Sequence, residues 1–342
     1  MKGSQVTIKD IARELNISPS TVSRALKDHP DISNDTKKAV TDLAAKWNYQ
    51  PNTIAMGLRQ NKTNTIGVII PELVHFFFST VISGIEDVAY SGGYSVIVSQ
   101  SGENLEREAL DIQTMFNHRV DGILMSVTKE TDHFEHIGAI FDRGMPMVFF
   151  DRVIDSIACS KVVVDDFEGG YQATAHLIKQ GYTRIAHLAG PEKLHIARQR
   201  LAGYKKALMD HGLGIDESMI FFEDFRGDES CAREITLEML DKRNPPQAIF
   251  ANNDMAALGV MAAAKSKGLK IPGDIGIVGF SNWNFTALTE PPLTTVNQPG
   301  FEMGREAARL LIREIEAGDD HFVEPETIIL KTELIIRESS VR

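Results

Sequence analysis

The chain reads as an all-α helix-turn-helix headpiece with a hinge helix, followed by an α/β core of two doubly wound parallel-sheet lobes. Three observations predict this. The stretch Thr7 to Leu26, TIKDIARELNISPSTVSRAL, has helical periodicity broken by one short turn. From Ile66 onward, short continuous apolar runs alternate with helical segments, which is the pattern of strands buried on both faces of a sheet. That alternation runs through two series of about one hundred residues or more, and a 342-residue chain is too long for one small core.

In the first stretch, Thr7 caps a helix and Asp10 stands three residues on, where a capping-box carboxylate belongs. Ile8, Ile11, Ala12 and Leu15 share one face, and Asn16-Ile17 make the turn. Ser18 caps the second helix, and Pro19 takes its first position, where a missing N–H costs nothing. Val22 and Leu26 point inward. The outer face carries Ser20, Ser23, Arg24 and Lys27. Hydroxyl residues at a helix start allow close approach to a phosphate backbone, and an arginine one turn on can fork onto a guanine edge. Ser33 caps a third helix whose stripe is Val40, Leu43, Ala44 and Trp47, with Trp47 expected as the largest core member.

Residues 1–50 are therefore expected to form the headpiece, 51–62 a hinge helix and linker, and 63–342 the core. The hinge, Asn52 to Arg59, is too short to hold a helix alone in water, yet it carries Ile54, Met56 and Leu58. A twin segment from a second subunit, or DNA, has to stabilise it.

Charge divides in the same place. Residues 1–62 hold 10 Lys/Arg against 6 Asp/Glu, whereas the remainder holds 26 against 41. A basic end on an acidic body suits one DNA-facing module attached to something else. Cys159 and Cys231 have no framework or metal-ligand spacing and fit reduced thiols in a cytosol. No apolar run has membrane-spanning length, and MKGSQVTIKD lacks a signal-peptide core, so a cytoplasmic protein without membrane contact is expected.

Ligands of doubly wound sheets bind beyond the carboxyl ends of the strands. Here those ends hold Pro71 to Phe78, Ser99 to Ser101, Ser126, Asp151-Arg152, Asp165-Asp166, Gly190 to Arg200, Phe225, Asn252 to Asp254, Phe280 to Trp283, and Gln298. Aromatic, carboxylate and amide groups suit polar rings, above all sugars. Phosphate-cradling GxxxxGK and GxGxxG loops and a GxSxG elbow are missing, so no catalytic residues and no cofactor are expected. His133 and His136 are three apart but have no third ligand nearby in sequence, so no metal is expected. Two functions remain open on these residues: a ligand-controlled DNA-binding repressor, or a sugar-binding protein or sugar-active enzyme tethered to DNA.

TIKDIARELNISPSTVSRAL, NYQPNTIAMGLR, NTIGVIIP, HRVDGILM, DDFEGGYQA, GYTRIAHLAGP, RLAGYKKAL, ANNDMAALG, IPGDIGIVGFSN and LTTVNQP, in this order, resemble the lactose and purine repressor family of bacterial transcriptional regulators. The resemblance covers essentially the whole chain. It implies a homodimeric repressor with a sugar-binding-protein-like core and three chain crossovers between the lobes. It places Pro19, Ser20 and Arg24 at base-reading positions, Leu58 at the wedge in the minor groove, and Arg59 beside it. Thr7, Ser18, Thr21, Ser23, Lys27, Asn52 and Ala55 complete the expected DNA face. Phe77, Phe78, Asp151, Arg200, Phe225, Asn253, Asp254 and Gln298 fall at family pocket positions, with His75 and Ser281 beside them. Ser281 stands where many members have an aspartate, and Leu194 and Ile196 replace an arginine and a threonine of the purine-responsive member. A purine effector is thus disfavoured. Arg152, Arg200 and His75 give a slight preference for a sugar acid or sugar phosphate over a neutral sugar. The chain lacks a Leu-heptad tail, so a dimer rather than a tetramer is expected.

Overall fold

The computed structural model describes residues 6–49, 62–74, 76–223, 229–318 and 323–342. It divides into two units, Met1–Thr63 and Asn64–Arg342.

The first unit holds α1 (Ile8–Glu14), α2 (Pro19–Leu26) and α3 (Asn34–Lys46). Its core is Ile11, Ala12, Val22, Ala25, Val40 and Ala44, one stripe from each helix. Leu26, Leu43 and Trp47 pack against this core without being enclosed by it. Trp47 thus covers the core rather than filling it. It is the C-cap of α3, where the chain already turns outward. Asp10 accepts from the Thr7 backbone N–H at 3.0 Å and from its hydroxyl at 2.6 Å. Ser18 and Ser33 accept from Thr21 N and Thr36 N, which fixes where α2 and α3 begin. Asn16 turns the chain at φ 49°, a left-handed conformation that asparagine tolerates.

The second unit contains two six-stranded sheets. β1 (Thr65–Ile70), β2 (Ser95–Gln100), β3 (Gly122–Met125), β4 (Met147–Phe150), β5 (Ser160–Val164) and β11 (Thr327–Leu330) form the first, in the order β2-β1-β3-β4-β5-β11, all parallel. β6 (Ile185–Ala189), β7 (Ile220–Phe222), β8 (Ala248–Ala251), β9 (Gly276–Ser281), β10 (Thr294–Asn297) and β12 (Glu333–Ile335) repeat that order as β7-β6-β8-β9-β10-β12. Only the edge strand β12 is antiparallel. β3, β4, β6 and β8 are buried along their whole length, as apolar runs broken only by His187 of β6 require.

The helices are α4 (Phe76–Ser91), α5 (Leu105–Asn117), α6 (Glu135–Phe141), α7 (Asp166–Lys179), α8 (His195–Asp210), α9 (Ser230–Leu240), α10 (Asp254–Ser266) and α11 (Gly300–Ala317). Helix pairs cross at backbone contact in both lobes. A Cβ on Gly84 of α4 would lie 2.0 Å from the Phe301 carbonyl oxygen of α11, and one on Gly304 would lie 2.0 Å from that of Val81. In the other lobe α7 and α8 are fitted the same way, with Gly170 against Arg200 and Gly203 against Phe167.

The chain passes between lobes three times: from β5 into α7, from β10 into α11, and from β11 into β12. The first and third passages are bonded together. Asp165 N donates to Leu330 O at 2.9 Å, and the Thr332 hydroxyl donates to Asp165 O at 3.2 Å. The sequence predicts a single strand through LKTELIIRESSVR. The structure instead breaks it at Lys331-Thr332, because Leu330 ends an edge of one sheet and Glu333 starts an edge of the other. The strand expected over 221–225 is Ile220–Phe222, and the remainder of that stretch lies outside the described residues from Asp224 on. Among the described residues no helix is long and apolar enough to cross a membrane.

Candidate nucleic-acid face and effector cleft

In the first unit, Val22 and Ala25 turn α2 inward, which leaves Pro19, Ser20, Arg24 and Lys27 exposed on the opposite face. Thr21 and Ser23 are half-buried, and Thr7 is exposed at the start of α1. The Ser18 hydroxyl is engaged by Thr21 N at 3.0 Å, Ser20 Oγ at 2.6 Å and Thr21 Oγ1 at 2.8 Å, so it organises the helix start. The Arg24 side chain is 59% exposed and its guanidinium lies 4.0 Å from the Asp31 carboxylate, a contact of the weak, solvent-screened kind. Asn52, Ala55, Leu58 and Arg59, like the whole expected hinge, lie outside the described residues, as do His75 and Phe225.

In the second unit, the strand ends of both lobes face one cleft. Phe77, Ser281 and Gln298 line a single cavity of about 410 Å³ there. Phe78 is turned into the first lobe's core, against Phe77 and Phe150. Asp151 follows β4 in a left-handed conformation (φ 59°), and burial pushes its carboxyl up to about 6 against the pull of Arg152. Arg152 forms two bonds from one nitrogen to Glu103, at 2.8 and 2.9 Å. Arg200 is 3% exposed. Its Nε donates to Asp166 at 2.7 Å, its Nη1 donates to Asn252 O at 2.7 Å, and the guanidinium lies 3.7 Å above the Phe280 ring. It is therefore a buried, bonded group of the second lobe. Burial raises the Asp166 carboxyl against that ion pair.

Asn253 caps α10 by accepting from Ala256 N at 2.8 Å. Asp254, expected as a polar anchor of the ligand, is instead fully enclosed. One oxygen accepts from the Thr295 hydroxyl at 2.5 Å and the other from Trp283 N at 2.8 Å. Burial holds its carboxyl up at about 6. This carboxylate fixes the loop after β9 rather than offering an atom to the cleft. In that loop Ser281 (φ 117°) is strained, Asn282 (φ 54°) takes the left-handed conformation that asparagine tolerates, and the Ser281 hydroxyl donates to Gln298 Oε1 at 2.8 Å.

Four nearly enclosed polar atoms at strand ends have no hydrogen-bond partner: Ser126 Oγ, Arg152 Nε, Asn252 Oδ1 and Gln298 Nε2. Glu103, through Arg152, and Asn284, Asn297 and Phe301, in the wall of the cavity, belong to the site without having been singled out in the sequence. The position of Asn297 beside Gln298 was the available signal for one of them. His136 is bonded to the enclosed Glu108 at 2.9 Å, and the described residues hold no group of three metal ligands.

A helical DNA-facing module and a two-lobed ligand-binding body define a ligand-responsive transcription regulator. Residues 7–52 match the model of bacterial regulatory proteins of the lacI family. Residues 63–337 match that of periplasmic binding proteins and the sugar-binding domain of the LacI family. The chain belongs to the lacI family. It is 32% identical to the HTH-type transcriptional repressor PurR of Vibrio campbellii (strain ATCC BAA-1116), over 97% of this chain and 98% of that one. It is also 32% identical to the repressor CytR of Escherichia coli (strain K12), over 98% and 96%. The structure of the lac repressor dimer bound to operator and the anti-inducer ONPF superposes with a TM-score of 0.86 at 26% identity, covering 99% of this chain and 100% of that one. The transcriptional regulator CelR–cellobiose complex does so with a TM-score of 0.74 at 29% identity, covering 98% and 100%. These curated relatives are transcriptional repressors and not enzymes.

Proposed function

We propose that the protein is a repressor that binds a palindromic operator as a homodimer and is controlled by a small polyhydroxylated effector held between its lobes. The observation that carries the effector reading is the set of unpartnered groups in the cleft: Ser126 Oγ, Arg152 Nε, Asn252 Oδ1 and Gln298 Nε2. Leaving such a group unpaired costs about 1–3 kcal/mol, so a site holding four is built for a ligand that pairs them. Two are donors, one is an acceptor and one is both, which matches hydroxyls that donate and accept. The CelR relative, whose complex contains cellobiose, supports a sugar.

On the DNA side, Ser20 and Arg24 read bases, and Lys27 holds phosphate. Leu58, with Asn52, Ala55 and Arg59 around it, enters the minor groove when two hinges pair on the operator, as apolar wedges do. The test is a gel shift with DNA from upstream of the gene and its neighbours, with and without a panel of sugars, alongside thermal-shift measurements. A sequence-specific shift that one sugar alters, with a matching thermal shift, is expected. Equal affinity for random DNA would overturn the operator reading.

A further inference from the structure

Of the four unpartnered groups only Gln298 lines the cavity that Phe77 and Ser281 also line, so this cavity is a space beside the other three. Its other walls include the rings of Phe76 and Phe301 and the amides of Asn284 and Asn297. Among the described residues of this wall the one charged side chain is Glu302. Among the described residues, the two guanidiniums at the strand ends are already matched. Arg152 is paired with Glu103 and Arg200 with Asp166, each at 2.8 Å or less. Adding Asp151 gives three carboxyl groups against two guanidiniums at the strand ends. Among the described residues an anionic ligand would meet these carboxylates with both guanidiniums already matched, so Arg152 and Arg200 give no basis for preferring a sugar acid or phosphate. A flat or C–H-faced ring is favoured instead beside Phe77 and Phe301, where it gains apolar contact. The unpartnered Gln298 Nε2, on an almost buried side chain, requires an acceptor atom on that ligand. At about 410 Å³ the space lies in the range of ligand pockets.

We propose that the effector is electrically neutral and carries two linked rings: a polyhydroxylated ring in the cleft and a second uncharged ring in this side cavity. The proposal rests on the reading of the cleft as a polyhydroxylated-effector site. Both a second sugar and a planar base or aryl group have the required chemistry.

Calorimetric titration of the full chain separates the cases. The neutral two-ring probes are cellobiose, 4-nitrophenyl β-D-glucoside and adenosine. The one-ring probes are glucose and ribose, and the anionic probes are glucose 6-phosphate and gluconate. At least one two-ring probe is expected to bind tenfold or more tightly than its one-ring part. Phe301→Ala, at a half-exposed position, should remove most of that gap by weakening two-ring binding far more than one-ring binding. Asn284→Ala, on an exposed residue, provides a second wall variant and should narrow the gap without unfolding the chain. Tightest binding by an anion, or equal binding of one-ring and two-ring probes, overturns the proposal and leaves the polyhydroxylated-effector reading standing. Failure of every probe to bind overturns both.

Discussion

At the scale of single residues, exposed and enclosed arginines behave differently. Arg24 projects from α2 with only a 4.0 Å contact to Asp31 to give up on binding. Arg24→Ala should therefore cost about 1–3 kcal/mol of specific operator binding and relax preference at one base per half-site. Lys27→Ala should weaken all sequences alike and lower the salt slope. Binding measured against operator and random DNA over a salt series checks both. Arg200 is a different case, because its side chain is enclosed and bonded to Asp166 and Asn252. Arg200→Ala strands a buried carboxyl. It is expected to lose about 3–5 kcal/mol of stability in urea unfolding, in addition to its effector response. The helix start at Pro19 and the exposure of Arg24 were legible from residue spacing alone. The ion pair was not, since Asp166 and Arg200 lie 34 residues apart and meet only when α7 packs on α8.

At the scale of elements, the strongest constraint is the pair of helix crossings at glycine. A methyl group on Gly304 would fall 2.0 Å from a backbone oxygen of α4, and backbone cannot rotate away as a side chain can. Gly304→Ala should destabilise the first lobe by about 1–3 kcal/mol or more, read as a lower urea midpoint at unchanged m-value. Gly138→Ala, where an added Cβ meets nothing within 4 Å, is the control and should be near neutral or stabilising. Strand and helix order was readable from periodicity, because most buried strands are short, mainly apolar runs set between helical stretches. The split of the C-terminal segment was not, because β11 and β12 are a continuous β-type sequence that differs only in which sheet receives it.

At the scale of the whole molecule, buried titrating groups oppose each other. Burial raises Asp151 and Asp254 from 3.8 to about 6, so the stability they contribute is full below pH 4 and is lost as pH rises toward 6. Asp166 and Glu314 lean the same way. Burial lowers His187 from 6.5 to about 4, so its contribution is present above pH 6.5 and is lost as pH falls through 4. His176 leans with it. Asp254→Asn should make stability depend less steeply on pH between 4 and 6 in the sense of loss on raising pH, by on the order of 3 kcal/mol. His187→Gln should steepen that same loss. Urea unfolding at pH 4, 5 and 6.5 reads both, and a shared sign for the two variants would contradict this assignment. The hinge adds a DNA-linked prediction. Amides of residues 52–59 should exchange fast in the free protein and be protected only with operator bound. Leu58→Ala should lose affinity and DNA bending together. Protection without DNA would show that the hinge is folded beforehand.

The sequence by itself determined the headpiece helices and their caps, the order of strands and helices in both lobes, and the family. Each of these is written in local spacing: helical period, continuous apolar runs, and cap and turn residues at fixed offsets. It also set the list of strand-end residues from which the cleft is built, because a doubly wound sheet sends those positions to one edge. Tertiary structure decided which of them face a ligand. Asp254, a polar residue at a strand end, went to Thr295 and Trp283, whereas Gln298 kept a free nitrogen beside the cavity. It also decided the cleft's charge, since the partners of Arg152 and Arg200 stand 49 and 34 residues away in the chain. Pairing at such separations depends on how lobes and helices pack. The cost of burying an unpaired charge makes that packing select partners that no local pattern records.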